Sequence, residues 1–240
     1  MKYLVLALFA LALAAPAARA NGFNLTWGTG CWRDNPATLA TSACDSNDGS
    51  VSFTVSFYNQ FPIQQFIGVE AWLDLQSDSP TLPDWWQLTD PGGCRQGALS
   101  VSFEPATPSG CANPWQGRVE SQKFVNWSTA AFPFYGGEAA NRAKLYVLYA
   151  PTPYNPLPSG VEYFAFTVTI NMAKTVGTGA CGGCSTPVTI VLNEVLLAGG
   201  RRLKTPLDNQ CLRWQAGGVT PCSATPTRST TWGQIKSLYR

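Results

Sequence analysis

The sequence predicts an all-β chain: a two-sheet antiparallel β-sandwich of Greek-key or jelly-roll type, with disulfide-stapled loops and a short C-terminal tail. Three observations predict it. Apolar residues recur with period two, as in Val51-Ser52-Phe53-Thr54-Val55-Ser56-Phe57, the pattern of a half-buried antiparallel strand. Gly, Pro, Asn and Asp cluster between such runs, where turns need them. Before residue 230 no stretch carries a useful 3.6-residue period, and no internal repeat stands out.

Residues 1–20 read as a signal peptide. Lys2 supplies the positive start, Tyr3 to Ala15 the apolar run, and Ala18-Arg19-Ala20 the small-x-small pattern cut after Ala20. The apolar run falls short of the about 20 residues a bilayer span needs. The expected location is therefore secreted, either extracellular or at the cell surface, with no membrane span. Residues 21–216 then form the sandwich domain, and residues 217–240 a linker and docking or sorting tail.

Along the domain, Val51–Phe57 comes first. Ile67, Val69, Ala71, Leu73 and Leu75 alternate with Gly68, Glu70, Trp72 and Asp74. Further strands are expected at Ala98–Phe103, Lys144–Ala150, Val161–Met172 and Val188–Ala198, with shorter ones at Arg201–Lys204 and Cys211–Gln215, eight or nine in all. The segments 75–97 and 104–143 are rich in Pro, Gly and Trp and read as long loops. Loops of that length are usually functional or locally structured.

Eight cysteines in an exported chain read as a disulfide framework: Cys31, Cys44, Cys94, Cys111, Cys181, Cys184, Cys211 and Cys222. Short loops close cheaply. The expectation is therefore neighbour pairing, Cys31–Cys44, Cys94–Cys111, Cys181–Cys184 and Cys211–Cys222, with partner exchange as the alternative. Cys181-Gly182-Gly183-Cys184 reads as a turn staple. A redox dithiol would want a helix N-terminus, and zinc would want a second ligand pair; neither accompanies it.

Composition narrows the chemistry. Without Lys2 and Arg19 the 16 basic residues fall to 14, equal to the 14 acidic ones. There is no basic surplus for a nucleic-acid footprint. Histidine is absent, which removes Ser-His-Asp and Cys-His catalysis and His-ligated metals. No metal ligand set is expected. Cys44-Asp45-Ser46-Asn47-Asp48-Gly49 falls one residue short of a calcium-loop spacing. A capped turn is the simpler account, and calcium is a cofactor here only if another loop completes the ligands.

The enzymatic reading that survives is a retaining glycoside hydrolase, which needs two carboxyls about 5 Å apart. Glu70 in GVEAWLDL and Glu162 in GVEYFAF are the candidates; the alternative is that both are ordinary outward strand residues. Nine tryptophans suggest carbohydrate binding instead. Trp85-Trp86, with Asp84, Gln87, Trp115 and Gln116, would stack and hydrogen-bond sugar rings. The alternative is a satellite core beneath the loops, since large aromatics usually bury most of their area.

The tail, TWGQIKSLYR, holds Trp232, Ile235 and Tyr239 at helical spacing, with Lys236 and Arg240. Ten residues are too few for a stable isolated helix, which needs about 12–15. The segment therefore needs a partner surface, its own domain or another protein.

The runs VSFTVSFYN, FIGVEAWLDLQ, LPSGVEYFAFTVTI and PVTIVLNEVLLAGG, from roughly Asp48 to Thr205, resemble the cohesin-like sandwiches of bacterial extracellular assemblies. The WGxIKSLYR ending is similar to that of a group of uncharacterised secreted bacterial proteins, and this resemblance implies export. The cohesin likeness implies a non-catalytic scaffold or adhesion module with an extracellular protein partner. A polysaccharide partner is the competing expectation, and the oligomeric state stays open.

Overall fold

The computed structural model describes residues 22–34, 36–106, 110–131, 133, 139–199, 201–203 and 210–216. The expected signal peptide, with its expected cut after Ala20, lies outside the described residues. So do the tail residues Trp232, Ile235, Lys236, Tyr239 and Arg240.

Thirteen strands are present among the described residues: β1 (Gly22–Trp27), β2 (Leu39–Ala40), β3 (Ser50–Tyr58), β4 (Ile63–Phe66), β5 (Gly68–Ser77), β6 (Leu99–Ser102), β7 (Val119–Thr129), β8 (Arg142–Thr152), β9 (Asn155–Leu157), β10 (Glu162–Asn171), β11 (Val188–Ala198), β12 (Arg201–Leu203) and β13 (Cys211–Trp214). A small sheet runs β1-β3-β10-β6; a larger one runs β2-β13-β11-β5-β8-β7 with β12 beside β11; β4 and β9 form a separate pair. All pairings are antiparallel except β13 with β2. The all-β sandwich expectation holds.

Period-two alternation sorts the core. On β5, Val69, Ala71, Leu73 and Leu75 are buried, with Leu145 and Val147 of β8 and Ile190 and Leu192 of β11 beside them. Phe53, Val55 and Phe57 of β3 and Val168 of β10 join the same apolar cluster. The other face of β3 carries hydroxyls that pair across to β10: Ser52 with Thr169 at 2.9 Å and Thr54 with Thr167 at 3.0 Å. This face is covered rather than solvated. Thr54 and Ser56 are fully buried, and Thr54 donates to the Gly28 carbonyl.

Two sequence expectations are corrected. The span 104–143, read as loop, contains the eleven-residue strand β7. The neighbour pairing of cysteines is also overturned: the bridges are Cys31–Cys111, Cys44–Cys184 and Cys94–Cys181, at separations of 80, 140 and 87 residues. Loop-closure entropy favours near neighbours only in an unfolded chain. Here strand pairing has already brought distant segments together. Cys211 is disulfide-bonded, and the expected Cys211–Cys222 bridge lies outside the described residues.

The Cys181-Gly-Gly-Cys184 turn is therefore a hub. One cysteine holds the 87–97 loop and the other the 41–49 loop. The Gly182 carbonyl accepts from Trp85 N at 2.9 Å. Gly183 has φ +96°, and a Cβ there would lie 2.3 Å from Pro83 Cβ, so only glycine fits that turn.

Candidate functional site

The site residues expected from sequence are placed as follows. Trp85 and Trp86 sit in a short 3-10 turn, Asp84–Trp86, and neither is exposed at all. Trp85 stacks on Trp214 at 5.6 Å between centroids, Trp86 meets Trp214 edge-on, and Trp27 completes the group. Asp84 is exposed, while the Gln87 amide donates to the Leu82 carbonyl. Trp115 is buried against Phe66, Phe103 and Tyr149, and its indole N–H donates to the Ala165 carbonyl at 2.9 Å. The stacking platform of Trp85, Trp86 and Trp115 is thus corrected: these rings are core, and no face of them meets solvent.

Buried arginine reinforces this loop core. Arg95 lies 3.8 Å from the Trp85 ring centre, and donates to the carbonyls of Ala173, Trp85 and Asn171. Burial pushes its pKa down to about 10, and it has no carboxylate partner among the described residues. Arg118 acts alike at the other side. It donates to the carbonyls of Pro153, Ile67 and Pro151, and burial lowers its pKa too.

The two candidate catalytic glutamates do not share a sheet: Glu70 is on β5 in the large one, Glu162 on β10 in the small one. Glu162 is 3% exposed. It accepts from Ser56 Oγ at 2.5 Å and from the backbone N–H groups of Trp32 and Arg33, both at 3.2 Å. Its own backbone carbonyl accepts from Ala112 N. These contacts fasten the two loops that Cys31–Cys111 joins onto the small sheet. The two glutamates expected as a retaining pair are thus not brought together on one sheet.

Asn47 of the possible calcium loop is likewise engaged. Its side-chain oxygen accepts from Thr175 N and Val176 N at 2.8 and 3.0 Å. Its work is to fasten the 44–49 turn to the 172–177 turn, and no group of three or more metal-ligating side chains converges among the described residues.

What remains partly open is one part of the outer face of the large sheet; Asp74, Ser128, Val191 and Thr189 on the same face are buried. Register places Phe124, Leu148, Glu70 and Leu196 in one row across β7, β8, β5 and β11, and Asn126, Tyr146, Trp72 and Glu194 in the next. Phe124 is 40% exposed, and Trp72, Leu148, Leu196, Glu70 and Glu194 are half-buried. The Phe124, Tyr146 and Trp72 rings form a continuous ladder, with centroids 5.8 and 4.7 Å apart. The Tyr146 hydroxyl donates to Glu70 Oε1 at 2.7 Å. One row further, Asp74 lies 3.9 Å from Lys144 Nζ and accepts from Asn193. Asn193 stands in the β11 bulge between Leu192 and Glu194. Asn126 Oδ1 is buried without a hydrogen-bond partner among the described residues.

Sequence alternation had put Glu70, Trp72 and Asp74 on one face, and they are there. It missed Phe124 and Tyr146, which only the β7–β8–β5 register brings to them. An aromatic ladder fixed by a carboxylate on a sheet surface offers stacking and apolar contact with a few oriented acceptors. No protein-family model matches the chain, and no curated protein matches it.

Proposed function

We propose that this protein is a secreted, non-catalytic binding module that engages an extracellular protein partner through the outer face of its large sheet. The observation that carries the reading is the Phe124–Tyr146–Trp72 ladder with Glu70 at its edge, in which Phe124 and Trp72 are partly exposed on either side of a buried Tyr146. Partly exposed aromatics with few, oriented polar groups are the composition of binding hot spots. The cohesin-like scaffold or adhesion role fits a sandwich that uses one sheet face in this way. The three disulfides between described residues suit an oxidising compartment outside the cell, and no helix among the described residues is long and apolar enough to cross a membrane.

The rings of the ladder are tilted by 41° and 55°, so they make a ridged surface rather than the flat platform that a sugar ring prefers. The hydrolase reading loses its geometry with Glu162 committed to Ser56 and two backbone amides. The test incubates the oxidised full-length secreted protein with a polysaccharide panel and with protease-treated and untreated cell surfaces. Saturable, protease-sensitive binding with no released reducing ends is expected. Release of reducing ends would establish an enzyme, and saturable binding to a polysaccharide would establish a carbohydrate-binding module instead.

A further inference from the structure

We propose that the outer face of the large sheet is also the docking site of the chain's own C-terminal segment, residues 231–240, which an external partner must displace. This rests on the reading of that face as the binding surface.

The chemistry of the two is complementary. The face offers Phe124, Trp72, Leu148 and Leu196 as half-exposed apolar groups, with the carboxylates of Glu70 and Glu194 in the same two rows. The segment offers Trp232, Ile235, Leu238 and Tyr239, with Lys236 and Arg240 and no acidic side chain. Ten residues are too few for a stable isolated helix in water, which needs about 12–15. Their apolar side chains therefore gain by being buried on a surface.

Reach favours the same molecule. The fourteen residues 217–230 separate the last described residue, Ala216, from the segment. With Cys222 as the cysteine left to pair with Cys211, the tether to the segment is residues 223–230, and an unstructured chain of eight residues spans roughly 16 Å on average. From β13 to β5 is two strand spacings, about 10 Å, and β8 is one further. A linker matched to its span gives an effective concentration on the order of millimolar, which favours the chain's own tail over another copy's at ordinary protein concentration.

The disulfide-bonded Cys211, although buried, belongs to the same face of the sheet. Leu212 and Trp214 of β13 are fully buried among core residues, so alternation puts Cys211 on the outer face, opposite Val191 in the row of Asp74. Cys211 is disulfide-bonded to a partner outside the described residues, and the remaining cysteine of the sequence is Cys222, inside the linker.

Because the tail and the external partner use one face, they compete. Weakening the tail must strengthen external binding by the factor the tail had withheld.

The test is zero-length carbodiimide coupling of the full-length protein at low concentration, followed by peptide mapping of the monomer fraction. The account expects Lys236 joined to Glu70 or Glu194 well above its coupling to Asp48 and Glu104, which are exposed elsewhere. Trp232→Ala and, separately, Phe124→Ser should reduce that coupling to the background level, and Trp232→Ala should raise external binding. Coupling at background in the wild type, coupling found only in a dimer fraction, or coupling unchanged by both substitutions would each overturn the proposal. If coupling is absent while Phe124→Ser still abolishes external binding, the tail proposal falls and the binding face stands. If Phe124→Ser changes neither, both fall.

Discussion

Tyr146 and Glu70 meet diagonally. The hydroxyl donates to Oε1 at 2.7 Å, although Glu70 stands directly opposite Leu148 and Tyr146 opposite Trp72. The bond draws the carboxylate along the strand towards the aromatic row and fixes the Tyr146 ring between Trp72 and Phe124. One hydrogen bond thus orders both the polar and the aromatic half of the binding surface.

Tyr146→Phe should therefore separate stability from binding. Loss of one partly buried hydrogen bond to a carboxylate costs about 1–2 kcal/mol, read by urea denaturation. The rings stay stacked, but Glu70 loses its orientation. Partner affinity should fall more than the stability change explains, as measured by saturation binding at a temperature where both proteins are folded.

Glu162 should behave in the opposite way. Glu162→Gln leaves Trp32 N, Arg33 N and Ser56 Oγ facing an uncharged amide, with a loss of about 2–3 kcal/mol in unfolding free energy. Ser56→Ala should cost less, since the two backbone donors remain. Neither substitution should alter partner affinity in the folded protein, because Glu162 lies on the other sheet.

Arg95 makes a prediction about pH. Burial lowers its pKa from the usual arginine range to about 10, so above about 10 the unfolded chain holds a proton that the folded chain has released. Its contribution to stability therefore rises with pH only above about 10. Below that it is a constant cost of burying a charge, offset by three carbonyl acceptors and the Trp85 ring. The wild type and Arg95→Met, which has no titrating group at this position, should accordingly differ by the same amount throughout pH 6–9 in thermal denaturation. That difference should be about 2–3 kcal/mol against methionine, which leaves the three buried carbonyls without a donor.

The cysteine hub gives a chemical prediction. Proteolysis without reduction should yield peptides linking Cys94 to Cys181 and Cys44 to Cys184, with none closed from Cys181 to Cys184 in an undigested turn. Replacing both Cys94 and Cys181 by serine opens a loop of 87 residues. A chain-entropy estimate gives a loss of up to about 4–5 kcal/mol, read from the urea midpoint under oxidising conditions.

Much of the sheet framework was legible because burial alternates locally. Val69, Ala71, Leu73 and Leu75 announce one face of β5, and Glu70, Trp72 and Asp74 the other. β7 was hidden because polar residues occupy Glu120–Lys123 around its bulge; Lys123, opposite Tyr149 but exposed, lies 5.6 Å from the Phe103 ring centre. Glu162 looked like an outward strand residue because what covers it, the turn of Trp32 and Arg33, comes from 130 residues away. Trp85 and Trp86 looked available for the same reason: Trp27 and Trp214, which bury them, belong to the two ends of the domain. The cysteine pairs obey tertiary proximity, which spacing along the chain does not encode.

The most direct test of the binding surface is saturation binding of labelled full-length protein to washed surfaces of the cells that secrete it, comparing wild type, Phe124→Ser with Trp72→Ala, and Glu162→Gln, all at a temperature where circular dichroism finds them folded. The account predicts saturable binding by the wild type and the Glu162 variant, and its loss in the outer-face double variant. Equal binding by the folded double variant and the wild type would contradict it.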